Sequence, residues 1–199
     1  MKKKIIIIIS TVVLLLGGIL IYKFGFNKDT YSDNERFAKE YSSVTEDNVF
    51  VYKDMEEIIK ILENGTGVVY LGFPECPWCT AYVKYLNEVA LNNDEETIYY
   101  HNILEDRQNN TPEYQKVVSI LSDYLQYDNE GNKRIYVPAV IGVRKGEIVF
   151  FDDETAWDTK DYESPEDYWD NEDLDGLKNR LENLFSLTKT NICTSECNK

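Results

Sequence analysis

Two cysteines separated by two residues, in Cys76-Pro77-Trp78-Cys79, lie where an apolar run of strand length gives way to a helical pattern. Residues 68–73 are almost entirely apolar, as in strands buried on both faces of a sheet. Pro77 then suits the first position of a helix, because its missing N–H would be unpaired there in any case. Cys76 is therefore predicted at the amino end of a helix, with Cys79 one turn further on its inward face.

This placement predicts thiol chemistry for the pair. Unpaired N–H groups and the dipole at a helix amino end favour an anion, so Cys76 is expected to form a thiolate easily. The thiolate is the form that attacks a disulfide. Cys79 is close enough to attack the resulting mixed disulfide and release the product. We predict Cys76 and Cys79 as catalytic residues without a cofactor, and Trp78 both as packing at the helix start and as an apolar plate for a substrate chain.

Other interpretations of the cysteines stay open. A zinc site would need four ligands, and Cys193 and Cys197 are the remaining cysteines, with His101 the single histidine. A purely structural disulfide between Cys76 and Cys79 would close too short a loop to remove much chain entropy. We therefore predict redox activity and no metal. Cys193 and Cys197 are interpreted as a structural disulfide, an auxiliary redox pair, zinc ligands or a crosslink, and His101 as a hydrogen-bonded sheet histidine.

Hydrophobic periodicity predicts the element order β-α-β-α-β-α-β-β-α, a mixed sheet with helices on its faces. The predicted strands cover residues 50–52, 68–73, 97–103, 135–143 and 147–151, and the predicted helices start after Asp54, Cys76 and Thr111 and cover residues 174–185. Gly65 is predicted to end the first of these helices in a left-handed conformation. A further short helix is predicted near residues 35–41.

The strand at 68–73, the Cys76–Cys79 segment on a helix, and Tyr136-Val137-Pro138-Ala139 opening a later strand resemble the thioredoxin superfamily, over roughly residues 49–187. The resemblance implies a three-layer α/β/α sandwich. It also implies a cis peptide bond at Pro138 beside the cysteines, and a Val137 backbone that pairs with the substrate chain, so Val137 and Pro138 are candidate substrate-binding residues. The segment Gly72-Phe73-Pro74-Glu75-Cys76-Pro77 is similar to the bacteriocin transport accessory group of Gram-positive bacteria.

Two residues depart from that pattern. Thioredoxin carries a buried aspartate in the strand before its cysteines, and the matching position here is Tyr70, a poor proton acceptor near pH 7. Deprotonation of Cys79 by a buried carboxylate at that position is therefore not expected. Glu75 directly precedes Cys76, and a nearby negative charge raises the pKa of a thiol.

The amino-terminal segment predicts a membrane anchor. Lys2, Lys3 and Lys4 precede residues 5–22, which carry no charge and would reach roughly 27 Å as a helix, close to the thickness of a bilayer core. The basic amino-side flank favours a cytoplasmic location for residues 1–4 and translocation of the rest. The residues after the apolar run are large, which favours an uncleaved anchor over a cleaved signal. We therefore predict a single-pass protein of the cell membrane with an extracytoplasmic domain, where disulfides persist.

Charge limits the partners. The formal net charge of −15 opposes contact with phosphate backbones, so no nucleic-acid partner is predicted. Residues 23–48 are predicted as a stalk, and residues 188–199 as a tail with the second cysteine pair. Residues 152–175 are predicted as an acidic insertion, solvated or able to dock a basic or peptide partner. The predicted partners are protein or peptide thiols and disulfides and a redox partner protein. The alternative is a non-catalytic thioredoxin-like binding module, for example for peptide or bacteriocin export.

Overall fold

The computed structural model describes residues 31–95, 97–153 and 162–189. None of the helices within those ranges has the length and hydropathy that a membrane crossing requires. The predicted cytoplasmic residues 1–4 and anchor 5–22 lie outside the described residues, as do Cys193 and Cys197.

The described chain contains seven helices and seven strands. In chain order they are α1 Asp33–Glu40, β1 Phe50–Tyr52, α2 Met55–Asn64, β2 Thr66–Gly72, α3 Pro77–Asn92, β3 Ile98–Asn102, α4 Leu104–Asn109, α5 Pro112–Ile120, β4 Gln126–Tyr127, β5 Lys133–Arg134, β6 Ala139–Arg144, β7 Glu147–Asp152, α6 Pro165–Asn171 and α7 Leu174–Lys189.

Five strands form one mixed sheet in the order β1-β3-β2-β6-β7, and β4 and β5 form a separate antiparallel ribbon. Strands β1, β3 and β2 run parallel, β6 runs antiparallel to β2, and β7 runs antiparallel to β6. Because β6 opposes β2, its first residue, Ala139, lies opposite Leu71 near the end of β2. The loop that follows β2 and the loop that precedes β6 therefore meet at one edge of the sheet.

Both faces of the sheet are covered by helices. Val68 and Tyr70 of β2 point into a cluster that includes residues of α1, α3, α6 and α7. Val69 and Leu71 point the other way, into a cluster with residues of α2 and α5. This alternation explains why the apolar run at 68–73 shows no period of two: a strand buried on both faces has apolar side chains at successive positions. The predicted α/β class with a mixed sheet is confirmed.

The helix starts follow the predicted caps. Asp54 and Glu57 form a reciprocal capping box at α2. Thr111 accepts the N–H of Tyr114 at the start of α5, and Pro112 occupies the first helical position. These side chains satisfy N–H groups that the helices themselves leave unpaired.

Two local predictions differ from the structure. Gly65 ends α2 in an extended conformation, with φ of −87°, and its N–H donates to Ile61 O at 2.8 Å, so no left-handed residue is used there. The strand predicted at 135–143 begins only at Ala139, since Pro138 has no N–H to donate to a sheet ladder. Among the glycines that do adopt a positive φ is Gly146 (φ +78°), in the hairpin turn between β6 and β7.

The described part of the predicted stalk also differs from the prediction. Residues 33–48 belong to the compact unit that starts at Asp33. Helix α1 lies there, as the short-helix prediction expected, but its Phe37 and the following Tyr41 are fully buried in the core. Asp33 also accepts the N–H of Tyr52 at 3.0 Å. This part of the segment is therefore part of the packed domain.

The acidic stretch is not uniformly solvated either. Residues 154–161 lie outside the described residues, but residues 165–171 form α6, whose Tyr168 and Trp169 are buried. Both rings pack near α3, so the described part of this stretch contributes to the core around the cysteine-bearing helix.

Candidate active site

The Cys76 thiol lies where β2 leads into α3. The N–H of Cys76 donates to Phe73 O at 3.2 Å, which closes the intervening loop into a turn. The Thr80 hydroxyl donates to Pro74 O at 3.3 Å and ties the same loop to the first turn of α3. Cys76 itself is the N-cap residue of α3, and its Sγ accepts the N–H of Cys79 at 3.2 Å. Cys76 therefore occupies the position predicted from the sequence, with its side chain partly open to solvent.

The surroundings of Cys76 lower the pKa of its thiol. The largest cause is a hydrogen bond from the Cys79 thiol, and the backbone N–H groups of Cys79 and Trp78 act in the same direction. The positive charge of Arg107 adds to this, while partial burial opposes it. Glu75, which the sequence suggested would raise this pKa, is exposed, and the net direction is downward. The thiolate is the favoured form of Cys76 over a wider pH range than for an ordinary cysteine.

Cys79 has the opposite character. Its side chain is fully buried, and burial raises the pKa of its thiol well above the usual value, with the negative charge of a Cys76 thiolate raising it further. The two sulfurs therefore differ in exposure and in protonation, as a division into attacking and resolving cysteine requires.

Tyr70 lies beneath the pair. Its hydroxyl is buried and donates to the carbonyl oxygen of Cys79 at 3.4 Å. Burial raises the pKa of Tyr70, so the phenol stays protonated at neutral pH and does not accept a proton from Cys79. A hydrogen bond from Tyr70 lowers the pKa of Cys79 and partly offsets the effect of burial. Tyr70 thus acts as a hydrogen-bond donor and not as a proton acceptor, in agreement with the sequence analysis.

Val137 and Pro138 lie in the loop directly before β6. The peptide bond between them is cis, as the family resemblance implies. Because Ala139 pairs with Leu71, this loop lies at the same sheet edge as the loop from Gly72 to Cys76. Pro138 is buried, whereas Val137 is partly exposed and packs against both apolar clusters.

Trp78 is partly exposed at the start of α3, and its ring meets Tyr168 of α6 edge-on, with centroids 5.5 Å apart. Tyr168 in turn contacts Tyr162 at 5.7 Å. One side of Trp78 therefore packs on the acidic stretch, and its role as an apolar plate for a substrate chain stays a prediction.

Arg107 of α4 is a site residue that the sequence analysis did not identify. Its guanidinium lies over the ring of Phe73, 5.0 Å from the centroid, and Phe73 is the residue whose carbonyl accepts the Cys76 N–H. The signal in the sequence is weak, because Arg107 is four residues beyond a strand that was predicted and in a helix that was not. Arg107 comes close to the cysteine loop because β3 and β2 are parallel neighbours, so that α4, which follows β3, lies beside the loop that follows β2.

Other candidate residues are placed as follows. His101 is held on both sides, by Lys53 O at 2.8 Å and by Asp106 Oδ2 at 2.9 Å, which fits the predicted sheet histidine. Over the described ranges, no group of three or more histidine, cysteine or acidic side chains could hold a metal ion.

Comparisons with protein-family models, with characterised proteins and with solved structures find no match for this chain. The proposals for its function therefore depend on the geometry of the cysteine pair and its surroundings.

Proposed function

We propose that this protein is a thiol–disulfide oxidoreductase that exchanges disulfides with secreted proteins or peptides. The observation that carries the proposal is the asymmetry of one cysteine pair: a partly exposed Cys76 with a lowered pKa at a helix start, above a buried and protonated Cys79. Residues 5–22 would anchor the chain in the cell membrane with its domain on the extracytoplasmic side, and a redox partner protein would restore the pair after each cycle.

We further propose that the fold is thioredoxin-like, a three-layer α/β/α sandwich. Three features support this: the strand order β1-β3-β2-β6-β7, the cysteine pair at the end of β2, and the cis bond at Pro138 across the same edge. The similarity to the bacteriocin transport accessory group rests on the sequence segment around Cys76 and belongs to the same proposal.

The exchange would proceed in two steps. The Cys76 thiolate attacks one sulfur of a substrate disulfide, so that a bond from Cys76 to that sulfur forms and the second substrate sulfur leaves as a thiolate. Cys79 then loses its proton to the departed thiolate or to a solvent base and attacks Cys76. The substrate sulfur bonded to Cys76 leaves as a thiolate. The pair has then lost two electrons, which the substrate has gained, and the reverse sequence oxidises a substrate dithiol.

The substrate chain would lie across the edge formed by the two loops. Within the described ranges Val137 lies in no strand, because β6 begins only at Ala139, and its backbone groups would pair with such a chain. An extended chain beside Val137 would place its disulfide near Cys76, with Trp78 as an apolar surface on the other side.

The Cys79→Ser variant tests this proposal. Without the resolving thiol, the mixed disulfide on Cys76 cannot be released, so covalent adducts that dithiothreitol removes should accumulate. The Cys76→Ser/Cys79→Ser double variant is the matched control, because it keeps Cys193 and Cys197 but lacks the attacking sulfur. Adducts on the single variant alone support exchange through Cys76. Their absence from both variants would contradict it and favour the non-catalytic binding module.

A further inference from the structure

A cavity of about 630 Å³ lies beside the cysteine loop, between α4, α5 and the β4–β5 ribbon. Three basic side chains line it, those of Arg107, Lys133 and Arg134, together with the rings of Tyr114 and Tyr127. Such a concentration of positive charge is unexpected in a chain with 36 acidic and 21 basic residues. The cavity is not accounted for by the proposed exchange chemistry.

The two arginines form no ion pair with the described residues. Over the part of the chain that the structure describes, neither Arg107 nor Arg134 has a carboxylate within ion-pair distance, whereas Lys53 and Lys178 elsewhere are paired with Glu57 and Glu88 at 3.0 and 2.7 Å. The Nε of Arg134 is buried and has no hydrogen-bond partner among the described residues. A buried guanidinium N–H without an acceptor is costly, and an anion that enters the cavity would supply that acceptor.

Acidic residues also line the cavity, and hydrogen bonds from the turn backbone together with the charge of Arg134 lower the pKa of Asp128, but neither Asp128 nor Glu130 forms an ion pair with a described arginine. Asp128 accepts the backbone N–H groups of Glu130 and Asn132, both at 2.9 Å, so its carboxylate serves the turn between β4 and β5. Glu130 is exposed at the tip of that turn. The amine of Lys133 donates to Leu125 O and lies over the Tyr127 ring. Among the described residues, the two guanidiniums are therefore the cationic groups of this cavity for which no hydrogen-bond acceptor is found.

Each arginine is also attached to one loop of the cysteine site. Arg107 stacks on Phe73, in the loop that carries Cys76. Arg134 lies 5.6 Å from the centroid of the Tyr136 ring, and Tyr136 directly precedes Val137 in the chain. An anion held by the arginines would therefore lie beside the edge where the substrate chain is proposed to bind. Burial and the nearby charge of Arg134 both lower the pKa of Arg107, as expected for two cations held close together.

We propose that this cavity is a subsite for a carboxylate of the disulfide substrate, so that the protein prefers peptides with an acidic side chain near the reacting cystine. The inference rests on the proposed exchange function and specifies its substrate class. Guanidinium groups match carboxylates in a planar, bidentate geometry. The net negative charge of the protein repels an acidic substrate, and this repulsion acts over a longer range than a direct contact. Attraction within the subsite would offset it.

The test uses the reduced full-length protein and three synthetic peptides, each with one intramolecular disulfide and with Glu, Gln or Lys next to the same cysteine. Acid quenching, thiol alkylation and mass spectrometry of the Cys76–Cys79 peptide give the rate at which the pair is oxidised. The Glu peptide is expected to react about tenfold faster than the Gln peptide, the effect of one hydrogen bond between charged groups, and the Lys peptide more slowly still. High salt should reduce this preference.

The variants Arg107→Gln and Arg134→Gln should each reduce the ratio of the Glu and Gln rates towards one. The ratio is the readout because Arg107→Gln also removes a charge that favours the Cys76 thiolate and so slows every peptide. Arg134→Lys keeps the charge and should retain part of the preference. Lys116→Gln is the matched control: it removes a positive charge on α5 that is paired with Glu63 outside the cavity, and should leave the ratio unchanged.

The outcomes separate the two proposals. Equal rates for the Glu and Gln peptides, with normal exchange, would overturn the carboxylate subsite and leave the oxidoreductase proposal standing. If Lys116→Gln removes the preference for the Glu peptide as fully as the arginine variants do, the preference comes from net charge. That result would also overturn the subsite. A failure of all three peptides to react would overturn both proposals.

Discussion

Replacing Phe37 by alanine is expected to destabilise the domain strongly, although the sequence places this residue in a stalk. The Phe37 ring is fully buried and stacks on Phe50, with centroids 3.9 Å apart and planes 8° apart. It also stacks on Tyr41 at 4.5 Å and meets Tyr100 edge-on at 5.0 Å. The alanine variant would lose all of these contacts and leave a cavity against the sheet.

The expected magnitude follows from comparable core substitutions. Phe-to-Ala changes at buried positions lower the free energy of unfolding by about 3–5 kcal/mol. In a domain of this size, 1 kcal/mol corresponds to roughly 2–4 °C in melting temperature, so the midpoint should fall by roughly 6–20 °C. Leu91→Ala is the control, since Leu91 is 38% exposed on α3 and its loss should cost less than about 1 kcal/mol.

Urea and thermal unfolding followed by circular dichroism measure both quantities, on a chain that begins at Tyr31. A second comparison uses a chain that begins at Val49, the boundary predicted from the sequence. That shorter chain lacks α1 and Tyr41 and should fail to unfold cooperatively. A Phe37→Ala variant as stable as Leu91→Ala, together with a cooperative fold for the shorter chain, would refute the packing of residues 33–48 on the sheet.

Three further predictions concern the site and its supports. At pH 7 iodoacetamide should alkylate Cys76 faster than Cys79 in the folded, reduced protein. The alkylation rate at Cys76 should fall only as the pH falls through the lowered pKa of this thiol. Cys79 should react at a comparable rate only after denaturation. Equal reactivity of the two cysteines in the folded state would contradict the assigned asymmetry. Trp78→Ala should expose α6 to hydrogen exchange, since it removes the edge-on contact with Tyr168, worth about 0.5–1.5 kcal/mol beyond area burial; unchanged protection of α6 would show that Trp78 does not hold it. Gly146→Ala should lower the free energy of unfolding by more than about 1 kcal/mol, because its φ of +78° is unfavourable for alanine and a Cβ would come within 2.1 Å of a backbone oxygen of α2; a neutral result in urea unfolding would refute that close approach.

The sequence predicted the parts of the fold that depend on local patterns. The caps at Asp54 and Thr111 and the proline at the start of α3 lie where the sequence placed them, because capping depends on residues within one turn. It did not predict α4 or the β4–β5 ribbon, which are short and lack a clear period. It also treated α1 as an isolated helix, since the partners of Phe37 lie in strands that only folding brings together.

By itself, the sequence determined that Cys76 stands at a helix start with Cys79 one turn behind it, because both facts follow from the order of a strand, a proline and a helical period. Only the tertiary structure decided what surrounds them. Tyr70 beneath Cys79, Arg107 beside the Cys76 loop and Val137 across the sheet edge come from separate elements. Their proximity depends on strand order and crossovers, which fix distances between residues far apart in the chain, and local patterns carry no measure of those distances.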